Sequence, residues 1–218
     1  MTPPLRGVAL RLLITAAALA LWFWTQSLLG SRAPQISGIG DGLHQLTASA
    51  NAYLHVHPRT ADALLIASSA LIDALALFLI LSWLLGRTVR PFLGLVLLML
   101  LRQSVQGLCP LPPPSGMIWH YPGFPSLLVT YSVSSDFFFS GHTAIAVFAA
   151  AELARLKKPW LAVAGTLVAL FEVAAVIVLR AHYTMDVFTG ILAALLVATF
   201  IQPLSAPIDR LLRRPTSA

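Results

Sequence analysis

Two short polar clusters lie at the ends of apolar runs in this sequence. The first runs from Asp136 to Thr143 (DFFFSGHT), and the second runs from Arg180 to Asp186 (RAHYTMD). The chain has only six histidines and eight acidic residues, so ionisable side chains this close to hydrocarbon predict a functional site. The residue types suit covalent phosphoryl transfer, in which one imidazole attacks phosphorus, an aspartate orients that ring, and a second imidazole protonates the leaving alcohol.

The composition is that of a membrane protein. The chain has 218 residues, of which 58% are hydrophobic and 10% are charged, and its mean hydropathy is +0.83. Its net charge of +6 comes from basic residues that flank apolar runs, a pattern that indicates membrane orientation and no nucleic-acid partner. The lone cysteine, Cys109, excludes an internal disulfide. We therefore expect an integral, multi-pass membrane protein.

The apolar runs predict a single all-α membrane domain with six transmembrane helices. The first run is long for a cleaved signal and lacks a clear cleavage site, so we interpret it as a retained span. Residues 203–218 are predicted to form a basic cytoplasmic tail. The spans are expected at about 8–29, 62–85, 90–108, 137–156, 159–180 and 184–202.

Basic residues predict the orientation of these spans. With a cytoplasmic N-terminus, ten of the fourteen lysines and arginines fall on the cytoplasmic side, and the other side keeps only Arg32, Arg59, Arg102 and Arg180. The same topology brings both polar clusters to the opposite face. We therefore predict that the active site is on the extracytoplasmic face.

The first cluster suits phosphate binding. Backbone N–H groups in the first turn of a helix are unpaired, Gly141 allows close backbone approach, and Ser140 can cap the helix or donate to a phosphate oxygen. Asp136 could cap the same span, orient His142 or bind a cationic head group. The alternative is that Ser140 and Gly141 only start a helix and that His142 is an interface residue.

The second cluster suits an oriented nucleophile. His182 and Asp186 are four residues apart, so on a helix they share a face, and the carboxylate can accept a hydrogen bond from one ring nitrogen. The other nitrogen is then unprotonated and available to attack substrate. The alternative is a structural pair that closes a loop.

The motifs resemble the type-2 phosphatidic acid phosphatase superfamily and, within it, a branch of sphingomyelin synthases and plant phosphatidylcholine:diacylglycerol cholinephosphotransferases. Residues 136–143 are similar to the Ser-Gly-His block of that branch, and residues 182–187 (HYTMDV) are similar to its second histidine block. Arg102, followed after eight residues by Leu111 and three prolines, resembles its upstream segment. Arg180 is similar to the residue before the second histidine in the plant enzymes.

The resemblance implies a six-span fold of the phosphatidic acid phosphatase type and transfer of phosphocholine or phosphoethanolamine from a phospholipid donor to a lipid alcohol acceptor. It implies His182 as the nucleophile that forms a phosphohistidine, Asp186 as its support and His142 as the acid/base partner. No metal or cofactor is implied. The expected substrate-binding residues are Ser140, Gly141, Arg102, Arg180 and Asp136.

Two other functions stay open. The same superfamily includes lipid phosphate phosphatases, but that branch has an arginine six residues before the second histidine, where this chain has Val176. Fewer cations suit a phosphodiester better than a dianionic monoester, which favours the transferase. A non-catalytic transporter or scaffold is the weaker alternative, because both histidines and Asp186 are present. The donor, the acceptor, the membrane and the oligomeric state are not determined.

Other polar residues are interpreted as structural. Glu172 and Asp73 lie within predicted spans, and we expect both to be hydrogen-bond partners. His44, His55 and His57 lie in the first outer loop without an accompanying carboxylate or cysteine pattern, so we predict surface histidines rather than a metal site.

Overall fold

The chain is a bundle of α-helices. The computed structural model describes residues 5–31, 39–132 and 137–213, and within these ranges the regular elements are eight helices. They are α1 (Leu5–Gly30), α2 (Gly42–Leu46), α3 (Ala48–Val56), α4 (Pro58–Leu84), α5 (Arg90–Leu108), α6 (Gly141–Arg155), α7 (Pro159–Val178) and α8 (Thr184–Arg213).

Five of the described helices are long and apolar enough to cross a membrane, which agrees with the prediction of a multi-pass helical membrane protein. They lie at Gly7–Leu28, Pro58–Leu84, Arg90–Leu108, Pro159–Val178 and Thr184–Leu212. The remaining predicted span, the fourth along the chain at about 137–156, corresponds to α6, which has 15 residues. At 1.5 Å per residue it is about 22 Å long, shorter than the ~30 Å hydrocarbon core of a bilayer.

Helix α6 begins later than residue 137, where that span is predicted to start. Helix α6 begins at Gly141, because the Ser140 side chain caps it by accepting a hydrogen bond from the Thr143 amide at 3.3 Å. Residues 137–139 precede the cap, and the carbonyls of Phe137 and Phe139 accept hydrogen bonds from His182 and Arg102. The helix is therefore shorter than the apolar run that contains it.

Helix α8 extends past residue 202, where the last span is predicted to end. Helix α8 continues to Arg213 and includes Pro203 and Pro207. Its last turns are held against the start of α5, where Asp209 accepts hydrogen bonds from the Val89 amide and the Thr88 hydroxyl, both at 2.7 Å. Residues 203–213 are thus helical and pack against the start of α5.

Helix α6 lies at the centre of the bundle and packs against α4, α5, α7 and α8. Its buried face is rich in alanine, and Phe148 is fully buried. A Cβ atom at Gly94 of α5 would lie 2.0 Å from Phe148 Cζ, and one at Gly165 of α7 would lie 2.9 Å from Ala150 Cα. Small residues therefore allow the close helix approach that is typical of membrane bundles.

The two acidic residues that we interpret as structural, Glu172 and Asp73, are hydrogen-bonded, as expected. The Ser68 hydroxyl donates to Glu172 Oε2 at 2.6 Å and joins α4 to α7. Asp73 accepts hydrogen bonds from the backbone amides of Leu127 and Leu128 at 2.7 and 3.0 Å. Asp73 therefore fixes the loop before α6 against α4.

Candidate active site

His182 lies in the turn between α7 and α8. The Ile118 amide donates to the Leu179 carbonyl at 2.8 Å and attaches this turn to the loop that follows α5. Nδ1 of His182 lies 2.8 Å from the Phe137 carbonyl oxygen. Because a carbonyl only accepts, Nδ1 is the donor, and Nε2 of the neutral ring carries the lone pair.

Asp186 supports His182 differently from the prediction. The distance from Asp186 Oδ2 to His182 Nδ1 is 3.6 Å, longer than a hydrogen bond. Instead, Oδ2 accepts from the Tyr183 amide at 2.8 Å, and the Asp186 carbonyl accepts from the Ser140 amide at 3.1 Å. Since His182 precedes α8, the four-residue spacing does not place the two side chains on one helical face. The buried carboxylate thus lies close to the ring without a hydrogen bond to it.

His142 is the second residue of α6 and is buried. Its ring meets the Trp119 ring edge-on, with centroids 5.4 Å apart and planes at 83°. Its buried Nε2 has no hydrogen-bond partner among the residues that the structure describes. A buried, unpaired imidazole nitrogen is costly in a folded protein, so it is a candidate for contact with substrate.

Arg102 brings a positive charge to the start of α6. Its Nε donates to the Phe139 carbonyl at 3.1 Å, and its Nη1 donates to Gln26 Oε1 of α1 at 3.0 Å. A Cβ atom at position 141 would lie 3.1 Å from Arg102 Nε, tighter than ordinary packing. Gly141 therefore makes room for the guanidinium beside the first turn of α6.

A cavity of ≈ 50 Å³ joins these groups. Four of the predicted site residues line it, and Asp186 lies behind His182. The cavity is large enough for a few water molecules, so a lipid head group requires it to widen. Its lining includes Trp22, Gln26, Arg102, Trp119, Leu128, Phe137, Gly141, His142, Ala181 and His182.

The remaining predicted site residues have other surroundings. Arg180 does not line the cavity, because its Nη1 donates to the Ser115 carbonyl at 2.6 Å and its Nη2 to the His44 carbonyl at 3.3 Å. Arg180 thus fixes the turn that carries His182. The Ser140 hydroxyl oxygen caps α6. Asp136 lies outside the described residues.

The prediction that His44 is a surface residue is wrong. The segment between α1 and α4 contains α2 and α3, and His44 is buried against the turn before α8. Its Nε2 donates to the His182 carbonyl at 3.0 Å, and its ring stacks on Tyr183 with centroids 5.8 Å apart. Nothing local in the sequence indicates this contact, which joins residues 138 positions apart.

Asp41 is a second residue that the sequence analysis missed. It caps α2 by accepting from the His44 amide at 3.1 Å, and it accepts from the Thr184 amide and hydroxyl at 2.5 and 2.6 Å. Burial raises the pKa of this carboxyl, but the hydrogen bonds from Thr184 and His44 lower it by more, so the net pKa is below 3.8. The only local signal is an N-cap spacing three residues before His44.

A proline-rich loop, residues 110–125, completes the site. Tyr183 donates its hydroxyl to the Pro112 carbonyl at 3.1 Å, which ties the second histidine block to the loop after Arg102. Further along this loop, Trp119 donates its indole N–H to the Thr130 carbonyl at 3.0 Å and forms one wall of the cavity. His120, its neighbour, instead pairs with exposed Asp62 at 2.7 Å.

Within the described part of the chain, no group of three or more histidine, cysteine, aspartate or glutamate side chains is arranged to hold a metal ion. The described site presents two imidazoles, a guanidinium, a buried carboxylate and the first turn of a helix.

The fold and site define a helical membrane protein with two histidines facing one buried cavity. The AtPDCT1/2 family, the phosphatidylcholine:diacylglycerol cholinephosphotransferases, matches residues 41–202. This match covers more than half of the 218 residues, so the chain belongs to that family. Comparison with curated proteins and with solved structures finds no match. The matched range includes Asp41, His44, both polar clusters and the proline-rich loop.

We predict that Asp41 controls the stability of the turn that carries His182. Asp41→Ala should speed amide hydrogen exchange in the segment from Ala181 to Thr184, because the Thr184 amide loses its acceptor. Hydrogen exchange with mass spectrometry, in detergent, measures this. Asp62→Ala is the matched control, since that carboxylate pairs with His120 on the exposed surface.

The pH dependence follows from the lowered pKa of Asp41. A carboxyl with a lower pKa in the folded state stabilises that state above its unfolded pKa, and loses this contribution as the pH falls through the folded value. The difference in protection between wild type and Asp41→Ala should therefore be constant between about pH 5 and pH 8. Equal exchange in the two proteins would contradict the assigned role.

Proposed function

We propose that the protein transfers phosphocholine from phosphatidylcholine to diacylglycerol through a phosphohistidine on His182. The observation that carries the proposal is the hydrogen bond from His182 Nδ1 to the Phe137 carbonyl, which leaves the lone pair on Nε2 beside a cavity that also contains His142. Membership of the cholinephosphotransferase family supports phosphocholine as the group transferred.

In the first half of the reaction, His182 Nε2 attacks phosphorus of phosphatidylcholine. A P–N bond forms, and the bond from phosphorus to the glycerol oxygen breaks. Nδ1 keeps its proton and its hydrogen bond to Phe137. The phosphorylated ring can then carry positive charge on its nitrogens, which the carboxylate of Asp186 at 3.6 Å stabilises.

His142 transfers the proton in both halves. Protonated at Nε2, it gives its proton to the departing glycerol oxygen, so diacylglycerol leaves as a neutral alcohol. The neutral ring then accepts a proton from the hydroxyl of a second diacylglycerol while that oxygen attacks phosphorus and the P–N bond breaks. The enzyme returns to its starting protonation state.

Two further features suit a choline phosphodiester. Arg102 and the first turn of α6 supply positive potential for one negative charge on phosphorus. The Trp119 ring next to His142 supplies an aromatic surface, and aromatic faces bind quaternary ammonium groups by cation–π attraction. The head group therefore has complementary partners at both of its charges.

The rival reaction within the same chemistry is hydrolysis, in which water resolves the phosphohistidine. We expect transfer to dominate, because the cavity is small, mostly apolar in its walls, and supplied with charge by a single arginine. Excluding water protects a reactive intermediate from hydrolysis. A dianionic phosphate monoester has fewer partners here than a diester has.

Purified protein in proteoliposomes, supplied with choline-labelled phosphatidylcholine and unlabelled diacylglycerol, tests the function. We expect label in newly formed phosphatidylcholine to exceed label released as free phosphocholine, and phosphatidic acid to be a poor substrate. Labelled phosphatidylethanolamine and ceramide in parallel reactions test the alternative head group and acceptor. Rapid phosphate release from phosphatidic acid, unaffected by diacylglycerol, would favour the phosphatase.

The two histidines should fail in different ways when substituted. His182→Ala should abolish the covalent intermediate, because no other side chain replaces the nucleophile. His142→Ala should lose about 10²–10⁴-fold in transfer from phosphatidylcholine. It should keep more of its activity on p-nitrophenyl phosphocholine, whose good leaving group needs little protonation. Acid-labile phosphohistidine and product formation are the two readouts.

His57→Ala is the matched control for these variants, because that ring is exposed and bonds only locally to the Tyr53 carbonyl. Phosphohistidine trapped at position 142 instead of 182 would show that the roles are reversed.

We also propose that α6 completes six membrane crossings and that the site faces the extracytoplasmic space. The charge distribution along the chain supports this orientation, and Ser115 lies exposed on the proline-rich loop above the site. Ser115→Cys in a Cys109→Ser background should react with a membrane-impermeant maleimide in intact cells. The background removes Cys109, which is also exposed. Labelling of Ser115→Cys only after lysis would reverse the orientation.

A further inference from the structure

A large apolar groove lies between α1 and α5, next to the active-site cavity. Its volume is ≈ 500 Å³, within the range of about 300–1,000 Å³ that is common for ligand pockets. Its walls are almost entirely aliphatic and aromatic, and include Leu19, Trp22, Phe92, Val96, Met99 and Leu128.

The groove exists because α1 is fastened to the bundle at two points. At one end, Arg11 Nη1 donates to the carbonyls of Trp83 and Gly86, both at 2.9 Å, at the end of α4. At the other end, Gln26 accepts from Arg102 at 3.0 Å. The fifteen residues between these contacts extend about 22 Å, and the groove lies along that length.

The groove and the active-site cavity share a wall. Trp22 and Leu128 line both spaces, and the Trp22 ring lies 5.8 Å from the Arg102 guanidinium carbon. The buried indole N–H of Trp22 has no hydrogen-bond partner among the described residues. An unpaired donor therefore lies where the apolar groove meets the polar cavity. The ester carbonyl of a fatty-acyl lipid, which joins its apolar chain to its polar head, needs a donor at such a boundary.

We propose that this groove binds the diacylglycerol portion of the lipid, and that one groove serves both donor and acceptor. This inference rests on the proposed function. In phosphocholine transfer between glycerolipids, the alcohol that leaves and the alcohol that attacks are both diacylglycerols. A phosphohistidine separates the two events in time, so a single site can bind them in succession with the glycerol oxygen at the same position.

In this arrangement the head group lies against Arg102, His142 and Trp119, and the acyl chains extend along α1 and α5. The Trp22 indole N–H donates to an acyl ester carbonyl. Movement of the Trp22 ring joins the ≈ 50 Å³ cavity to the ≈ 500 Å³ groove and provides the room that a head group needs.

A second apolar groove, between α5 and α8, suits the lipid less well. Its volume is ≈ 640 Å³, and its lining includes Phe139, Leu192 and Phe200. None of its described lining residues also lines the active-site cavity. The buried Phe139 side chain separates it from the site. It therefore offers an alternative location that an experiment can distinguish.

Photo-crosslinking locates the acyl chains directly. Phosphatidylcholine with a diazirine on one acyl chain, bound to the wild-type protein, should label peptides from α1 and α5 that line the groove, such as those containing Leu19 and Val96. Excess diacylglycerol should suppress this label. Label mainly on the α8 peptides containing Leu192 and Phe200, or label that diacylglycerol does not displace, would overturn the proposal.

Filling the groove provides a kinetic test. Val96→Trp should lower kcat/KM by about tenfold or more for long-chain phosphatidylcholine and for long-chain diacylglycerol, with little effect on dihexanoyl lipids, whose chains occupy less of the groove. Leu170→Trp, on an exposed position of α7, is the matched control. Equal losses for long and short chains, or a loss for only one of the two long-chain substrates, would contradict a shared groove.

Trp22→Phe tests the hydrogen bond to the ester, because it keeps an aromatic ring and removes the N–H. Activity with ester-linked diacylglycerol should fall several-fold relative to ether-linked diacylglycerol, which has no carbonyl to accept the bond. An unchanged ratio would overturn this contact. If the diazirine lipid labels the groove but the protein transfers no head group, the proposed function is refuted while the proposed binding site stands.

Discussion

The site depends on the backbone of residues 137–140, a short non-helical segment immediately before α6. Its carbonyls accept hydrogen bonds from His182 and from Arg102, and the Ser140 amide donates to the Asp186 carbonyl. Main-chain groups adjust less than side chains. The proposed nucleophile His182, the Arg102 guanidinium and the start of α6 are therefore fixed relative to one another. A helix that began at residue 137 would use these groups internally and would dissolve the arrangement.

The segment also explains why Asp186 need not bond to the histidine. In an oriented imidazole, one nitrogen must hold a proton so that the other can attack, and the Phe137 carbonyl already meets this requirement. The carboxylate is then available to hold the Tyr183 amide and to counter positive charge on the ring from 3.6 Å. Asp41, His44 and Arg180 fasten the same turn from outside, through Thr184, the His182 carbonyl and the Ser115 carbonyl.

The sequence predicts the helical membrane class and places His142, His182, Arg102 and Gly141 at one site, where the structure brings them around a single cavity. The sequence does not predict the contacts that depend on backbone geometry. The spacing of His182 and Asp186 fits a helix, but the first residue of the pair lies in the preceding turn. His44 and Asp41 contact the turn before α8 from more than a hundred residues away, and no periodic pattern encodes such a contact. Apolar composition overestimated α6 because Phe137, Phe139 and Ser140 are buried without being helical.

The proposed exchange places an unusual demand on the protein. The bond that breaks and the bond that forms both join phosphorus to a glycerol oxygen, so neither direction has a chemical driving force. Hydrolysis of the intermediate, in contrast, removes phosphocholine that would otherwise become product. Selectivity must come from which oxygen reaches phosphorus while His182 is phosphorylated. A narrow cavity behind Trp119 and Trp22 limits the access of water. The attachment of α1 at Arg11 and Gln26 leaves an apolar groove beside this cavity. Only a lipid alcohol gains free energy by entering that groove. In the proposed exchange, the position of α1 therefore contributes to the choice of acceptor without contacting the reacting atoms.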